Sequence, residues 1–261
     1  MLKGPIVLIT DFGLSDPFMG QMKCVIEGIS PGARVIDLTH DVPPQNIEIG
    51  GFYIKSSLGY FPEESIIVGV VDPGVGTDRK GMLLNADGIY YVGPDNGLFF
   101  SIFKTSKEWK AVSLENKKYM LADVSNTFHG RDIFSPVAAH LRNGVRMDEF
   151  GSKIESPVEM KLVEPVVTSE RITGRVINVD RFGNLWTNIT HSMLAPGLDM
   201  IFIIRDAQIS GISKTYGDGH EPGDPIAIIN SFGLLEIAVP NWDASSILDA
   251  TAGDTVEVFL K

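Results

Sequence analysis

Short apolar runs alternate with helix-period segments through the first half of the chain. Ile6–Ile9 is an apolar run ending at Thr10-Asp11-Phe12-Gly13, the pattern of a buried strand. Residues 18–29 put Met19, Met22, Val25, Ile26 and Ile29 on one helical face, and Pro31-Gly32 stops that helix. Ala33–Leu38 predicts a second strand, followed by Thr39-His40-Asp41, and residues 47–60 predict a helix. Ser65–Val71 is apolar and β-branched, predicting a third strand that runs into Asp72-Pro73-Gly74-Val75-Gly76. This β-α-β-α-β order predicts a largely parallel sheet covered by helices. Gly81–Leu84 and Ile89–Val92 predict a hairpin around Asp87-Gly88, and residues 131–143 an amphipathic helix with Pro136 in its first turn.

The pattern changes across residues 152–170, which are rich in Glu, Pro and Ser. Beyond them, short strand candidates at 172–179, 184–189, 200–205, 225–230, 234–239 and 254–260 are separated by turn signals. This predicts an all-β domain, a sandwich or small barrel. The boundary falls near residue 165, giving an α/β domain over 1–165 and a β domain over 166–261. Phe-Gly recurs at 12–13, 182–183 and 232–233, which turn chemistry explains without a repeat.

Composition narrows the function. With 44% hydrophobic and 21% charged residues over 261 positions, the chain can bury a core. Lys plus Arg is 22 against 33 for Asp plus Glu, a net charge of −11. Such a surface repels polyphosphate and anionic lipid, which argues against nucleic-acid and membrane partners. The single cysteine, Cys24, excludes an internal disulfide and a Cys-based metal site, and its place on a predicted helix assigns it to the core. No apolar run approaches the ~18 residues of a membrane span, and the run at Ile6–Ile9 is too short for a signal-peptide core. The expectation is a cytoplasmic protein acting on a small molecule.

Three predicted strands end in acidic residues: Asp11, Asp41 and Asp72. Ligands of parallel α/β sheets sit outside the carboxyl ends of the strands. Three carboxylates there suit ribose hydroxyls, a cation or a metal, although each alone also fits a turn or helix cap. Asp11-Phe12-Gly13 matches a kinase magnesium motif but has only ten residues before it, too few for a nucleotide lobe. Gly74-Val75-Gly76 begins a dinucleotide fingerprint but has Arg79 where the third glycine belongs. The loop from Asp72 to Arg79 lets those two side chains fold back on one another. His129 lies in Phe128-His129-Gly130-Arg131-Asp132, just before a predicted helix. His140 reads as a packed residue, His191 and His220 as solvated turn residues, and His40 stays open. Asp, Arg and His together suit proton handling around a water nucleophile.

Several motifs in order resemble one family. They are Ile9-Thr-Asp-Phe-Gly-Leu-Ser-Asp16, Asp37-Leu-Thr-His-Asp-Val42, Val70-Val-Asp-Pro-Gly-Val-Gly-Thr77 with Arg79, Gly93-Pro-Asp-Asn-Gly97 and Thr127-Phe-His-Gly-Arg-Asp132. In the second half Val179-Asp-Arg-Phe-Gly-Asn184 and Asn230-Ser-Phe-Gly233 extend the match. Together they resemble the adenosine-forming S-adenosyl-L-methionine (SAM) hydrolases, also called SAM hydroxide adenosyltransferases, relatives of the SAM-dependent fluorinases and chlorinases. The resemblance covers almost the whole chain.

The resemblance implies attack of hydroxide on ribose C5′ of SAM, releasing adenosine and L-methionine without metal or cofactor. The family's Asp-Arg-His triad falls on Asp72, Arg79 and His129. Asp11 resembles the carboxylate that grips the ribose diol, and Asp16 lies in the methionine-side loop. Asp180, Phe182 and Asn184 match the segment that holds the methionine amine and adenine edge, and Ser231 matches a further contact. Pro240–Ala244 has no secure register. The implied architecture is a Rossmann-like α/β domain followed by a smaller β-barrel. It implies a homotrimer, with SAM between the first domain of one subunit and the second of its neighbour. A SAM halogenase, a non-catalytic SAM- or nucleoside-binding module and a metal-dependent hydrolase are the alternatives.

Overall fold

The computed structural model describes residues 2–194, 199–218, 221 and 223–260. His220 lies outside the described residues. The chain is a mixed α/β protein that divides into two compact units, Met1–Lys161 and Leu162–Lys261.

In the first unit the strands are β1 (Ile6–Thr10), β2 (Val35–Thr39), β3 (Ile66–Val70), β4 (Gly81–Ala86), β5 (Ile89–Pro94) and β6 (Trp109–Ser113). They form one sheet in the order β2-β1-β3-β5-β4-β6. Pairings from β2 through β5 are parallel, whereas β4 is antiparallel to both β5 and β6. The sheet is therefore mixed, where a largely parallel one was expected. The tight Asp87-Gly88 hairpin forces β4 to run against its neighbours.

Helices α1 (Phe18–Ile29) and α4 (Ser135–Arg142) cover one face. Met19, Met22 and Ile26 of α1 and Val137 of α4 pack on Ile6, Leu8, Ile66 and Val68. Each such side chain contributes roughly 1.5–3 kcal/mol. Cys24 is exposed, which corrects its assignment to the core. It lies two residues beyond Met22, about 200° round the helix from the buried stripe. Helix α2 (Ile47–Ser56) ends earlier than predicted, and Leu58–Tyr60 form a separate tight turn. The Ser57 hydroxyl donates to the Tyr53 carbonyl at 2.7 Å, which terminates the helical ladder. Pro136 sits in the first turn of α4, and a π-helical turn, Gly130–Phe134, precedes it. Helix α3 (Phe100–Thr105) and β6 carried too short a period to be predicted.

The second unit holds β7 (Val166–Val167), β8 (Arg171–Val179), β9 (Leu185–Thr190), β10 (Met200–Ile204), β11 (Ala207–Ser210), β12 (Ile226–Ile229), β13 (Leu234–Ala238) and β14 (Thr255–Leu260), with a short α5 (Ala244–Ile247). The order β11-β10-β14-β8-β9-β13-β12 is antiparallel throughout, with β7 paired to β8. Ser213, just past β11, bridges to Ile228 of β12 and brings the two ends of the sheet close, so it is barrel-like and nearly closed. Alternation puts Ile172 and Val176 of β8 inside with Phe202, Ile204, Val256 and Val258. Among the described residues no helix is long and apolar enough to cross a membrane.

Candidate functional site

Strands β2, β1 and β3 are adjacent and parallel, so their carboxyl ends share one edge of the sheet. Asp11, Asp41 and Asp72 follow at that edge. Asp11 is half-buried, and its Oδ2 accepts from the Gln45 backbone N–H at 2.8 Å. Asp41 is exposed, as is Asp16 in the loop leading into α1. His40 is buried between strands: its Nδ1 lies 3.1 Å from Thr10 Oγ1 and its Nε2 3.1 Å from Asp37 Oδ1. These contacts make His40 a clamp between the ends of β1 and β2.

Asp72, Arg79 and His129 come together. The Arg79 Nε donates to Asp72 Oδ1 at 2.9 Å and to Oδ2 at 3.1 Å, and its Nη2 also donates to Oδ2. The same Nη2 donates to His129 Nδ1 at 2.8 Å. The Asp72 and Arg79 side chains are 4% and 11% exposed, so this ion pair is screened little by solvent. Burial first, and then the Arg79 charge, hold the His129 imidazole below its usual range.

Three local devices hold this arrangement. Gly76 has φ +77°, and a Cβ there would lie 2.2 Å from the Asn126 carbonyl oxygen. Only glycine lets the Asp72–Arg79 loop lie against the segment that carries His129. Asp132 is fully buried and accepts from the Ser125 backbone at 2.8 Å and from Arg131 Nε at 2.6 Å, which closes the 125–132 turn. Phe12, Phe18 and Phe128 stack edge to face, with centroids 5.2–5.8 Å apart, and join the loop after β1 to that turn. From the Gly93–Gly97 motif, the Asn96 side chain donates to the Val71 carbonyl at 2.9 Å, next to Asp72.

In the second unit Asp180, Phe182, Asn184 and Ser231 all line one cavity of about 820 Å³. Two hairpin turns of one design form part of its wall. Asp180 Oδ1 accepts from the backbone of Phe182 and Asn184 at 2.8 and 2.9 Å, and Asn230 Oδ1 from that of Phe232 and Leu234 at 3.0 and 3.1 Å. The recurring Phe-Gly in these turns is thus turn chemistry that presents a partly exposed ring, 77% for Phe182 and 42% for Phe232. The 240–244 segment, which had no register, supplies Trp242 and Asp243 to the same cavity.

Sequence reasoning missed Asp132 as an anchor and missed Trp186, Tyr216, Asn230 and Glu236 in this cavity. Glu236 did carry a signal, a lone charge in the apolar run Leu234–Ala238. His140 is half-buried with its ring against Tyr119 at 5.2 Å, and His191 is exposed in a short turn. Among the described residues no three His, Cys, Asp or Glu side chains cluster as metal ligands do.

Residues 6–151 match the family model of the SAM hydroxide adenosyltransferase N-terminal domain, and residues 174–257 that of the C-terminal domain. A protein from Salinispora tropica named (R)-S-adenosyl-L-methionine hydrolase is 36% identical, covering 97% of both chains. A fluorinase from an Actinoplanes species is more distant at 26%, covering 97% of this chain and 96% of the fluorinase. The crystal structure of an uncharacterized conserved protein from Thermotoga maritima superposes with a TM-score of 0.89 at 34% identity, covering 97% of this chain and 99% of that one.

Proposed function

The chain belongs to the SAM hydroxide adenosyltransferase family, and on that premise we propose that it hydrolyses S-adenosyl-L-methionine to adenosine and L-methionine. The observation that carries the reading is the chain of contacts from Asp72 through Arg79 to His129. In-line attack forms a bond from the water oxygen to ribose C5′ as the C5′–S bond breaks. The electron pair stays on sulfur, which leaves as the neutral thioether of methionine, and one proton is released. The leaving group therefore needs no acid, and the burden falls on holding and deprotonating water. Positioning alone supplies up to ~7–11 kcal/mol of such a barrier.

Arg79 is fixed by Asp72 and donates to His129, so the imidazole offers its other N–H to an anionic oxygen. This suits hydroxide. A halide is already an anion and needs no proton handling, so the same arrangement favours hydrolysis over halogenation. Asp11 serves the ribose diol and Asp16 the methionine side. Asp180, Phe182, Asn184 and Ser231 serve the methionine amine and adenine. The reaction as proposed calls for no metal or cofactor, because the sulfonium leaves as a neutral thioether and needs no Lewis acid. We further read the first unit as Rossmann-like, the second as a small closed barrel, and the assembly as a cytoplasmic homotrimer. The motifs shared with the family support these readings.

The test is incubation with SAM in ¹⁸O-labelled water, with and without halide, followed by mass spectrometry. Labelled adenosine and free methionine are expected, unchanged by an excess of chelator. A 5′-halo product, SAM binding without turnover, or loss of activity on chelation that added metal restores would overturn the reading.

A further inference from the structure

Three carboxylates, Asp180, Glu236 and Asp243, line the cavity of the second unit, and no basic side chain does among the described residues. Two of the three have structural work. Asp180 binds the backbone of its own turn. Asp243 caps α5, with Oδ1 accepting from the Ser246 backbone at 2.9 Å. Among the described residues Glu236 accepts from no backbone amide. It is 2% exposed, in a strand whose other residues are buried and apolar. The Tyr216 hydroxyl, a neutral donor from the cavity wall, donates to Glu236 Oε1 at 2.7 Å, and the Asn230 and Trp186 side chains line the same cavity. Burial, with Asp180 adding to it, pushes the Glu236 carboxyl up from its usual range.

A buried carboxylate without a cation is costly, and chains keep one where it is paired or used. The neutral Tyr216 hydroxyl orients it without neutralising it. The rings of Phe182, Phe232 and Trp242 border the same cavity, and aromatic faces attract cations as well as bases. We propose that Glu236 is a further substrate-binding residue, the buried carboxylate that receives a cationic group of the substrate and selects it over neutral nucleosides. The inference rests on the SAM reading above. SAM offers two cations, the ammonium of its methionine part and the sulfonium, and the shared chemistry is a cation meeting a desolvated carboxylate. Tyr216 is a positioning residue for it, set by its loop, where Asp218 accepts from the Lys214 and Thr215 backbone at 2.6 and 2.9 Å.

The test compares wild type with Glu236→Gln. Initial rates give kcat and KM for SAM, and calorimetric titration gives Kd for two non-reacting ligands. S-adenosylhomocysteine keeps the ammonium but lacks the sulfonium, and 5′-methylthioadenosine lacks both. The expected result is a KM for SAM raised on the order of tenfold or more, with kcat retained and methylthioadenosine binding unchanged. A parallel loss for S-adenosylhomocysteine assigns Glu236 to the ammonium, and a loss confined to SAM assigns it to the sulfonium. Equal weakening of methylthioadenosine, or no change in any ligand, overturns the proposal. If Glu236→Gln does not fold, Tyr216→Phe is measured on the same three ligands and must show the same cation-selective loss. Wild-type turnover tests the SAM reading separately: without turnover, a cation-selective loss in S-adenosylhomocysteine binding would still uphold the role of Glu236.

Discussion

Arg79 Nη2 donates to His129 Nδ1 across 2.8 Å. A guanidinium has no lone pair to offer, so Nδ1 is the acceptor and the neutral imidazole carries its proton on Nε2. Nε2–H is thus the one donor His129 has free for the water oxygen in the proposed reaction, its other nitrogen being occupied. Protonating Nδ1 would set two cationic donors against each other.

The pH dependence follows. Burial and Arg79 hold the His129 imidazole below its usual range. The working form is neutral, so activity is lost as pH falls through the folded-state value, which lies below about 6.5. A profile of kcat/KM should be flat through neutrality, with its acid limb below that point. An acid limb centred above it would contradict the arrangement.

Asp72→Asn and Arg79→Lys test the array itself. The first change puts an amide N–H donor where Arg79 needs an acceptor. The second replaces the guanidinium fork with a single ammonium, which cannot bind both carboxylate oxygens and reach His129 at once. Each change should lower kcat by about 10²–10³-fold, the range seen when one charge-stabilising donor is removed. The KM for SAM should move far less, because the array meets the nucleophile. Steady-state kinetics separate the two parameters, and a loss confined to KM would place these residues in binding instead.

The sequence showed strands, helices and acidic strand ends because each follows from local pattern. Met19, Met22 and Ile26 mark a helical face by spacing, and they are buried where that spacing predicts. Asp72, Arg79 and His129 were visible as chemistry-bearing residue types in Gly-rich loops. Their contact depends on Gly76 against Asn126, an approach between distant segments that no local period encodes. The mixed sheet escaped for a related reason. A hairpin is readable from Asp87-Gly88, but the insertion of β4 between β5 and β6 is a tertiary choice. Glu236 gave a local signal, a charge inside an apolar strand, yet its neighbours are distant in sequence: Trp186 faces it across the β9–β13 pairing and Tyr216 reaches it from a loop.

Gly76→Ala probes that loop contact with a single methyl group. The new Cβ would meet the Asn126 carbonyl oxygen at 2.2 Å, at a φ of +77° that alanine disfavours. The loop must move away from the segment carrying His129, while the core, remote from it, keeps its packing. Turnover should fall by at least tenfold, with only a small drop in melting temperature. A variant with normal turnover would show that the loop approach does not position the triad.

Asp132→Ala should act through stability and activity together. The Asp132 side chain is fully buried and binds Arg131 Nε at 2.6 Å and the Ser125 backbone at 2.8 Å. Burial alone would raise its pKa, but the donors of Arg131 and Ser125 outweigh it and hold the carboxyl below its usual range. Arg131 keeps contact with solvent, so the cost of removing Asp132 falls chiefly on the Ser125 N–H left without its acceptor, on the order of 1–3 kcal/mol. The 125–132 turn also carries His129, so the remaining folded protein should be slow. The sign of the pH effect is fixed by linkage. A lowered carboxylate pKa adds stability that is complete above the unfolded value, about 3.9, and fades as pH falls through the folded value. Urea denaturation of wild type and Asp132→Ala should therefore differ by the full amount at about pH 7 and converge as pH drops below about 4. A gap that stays constant into acid would mean that Asp132 acts by its shape and not by its charge.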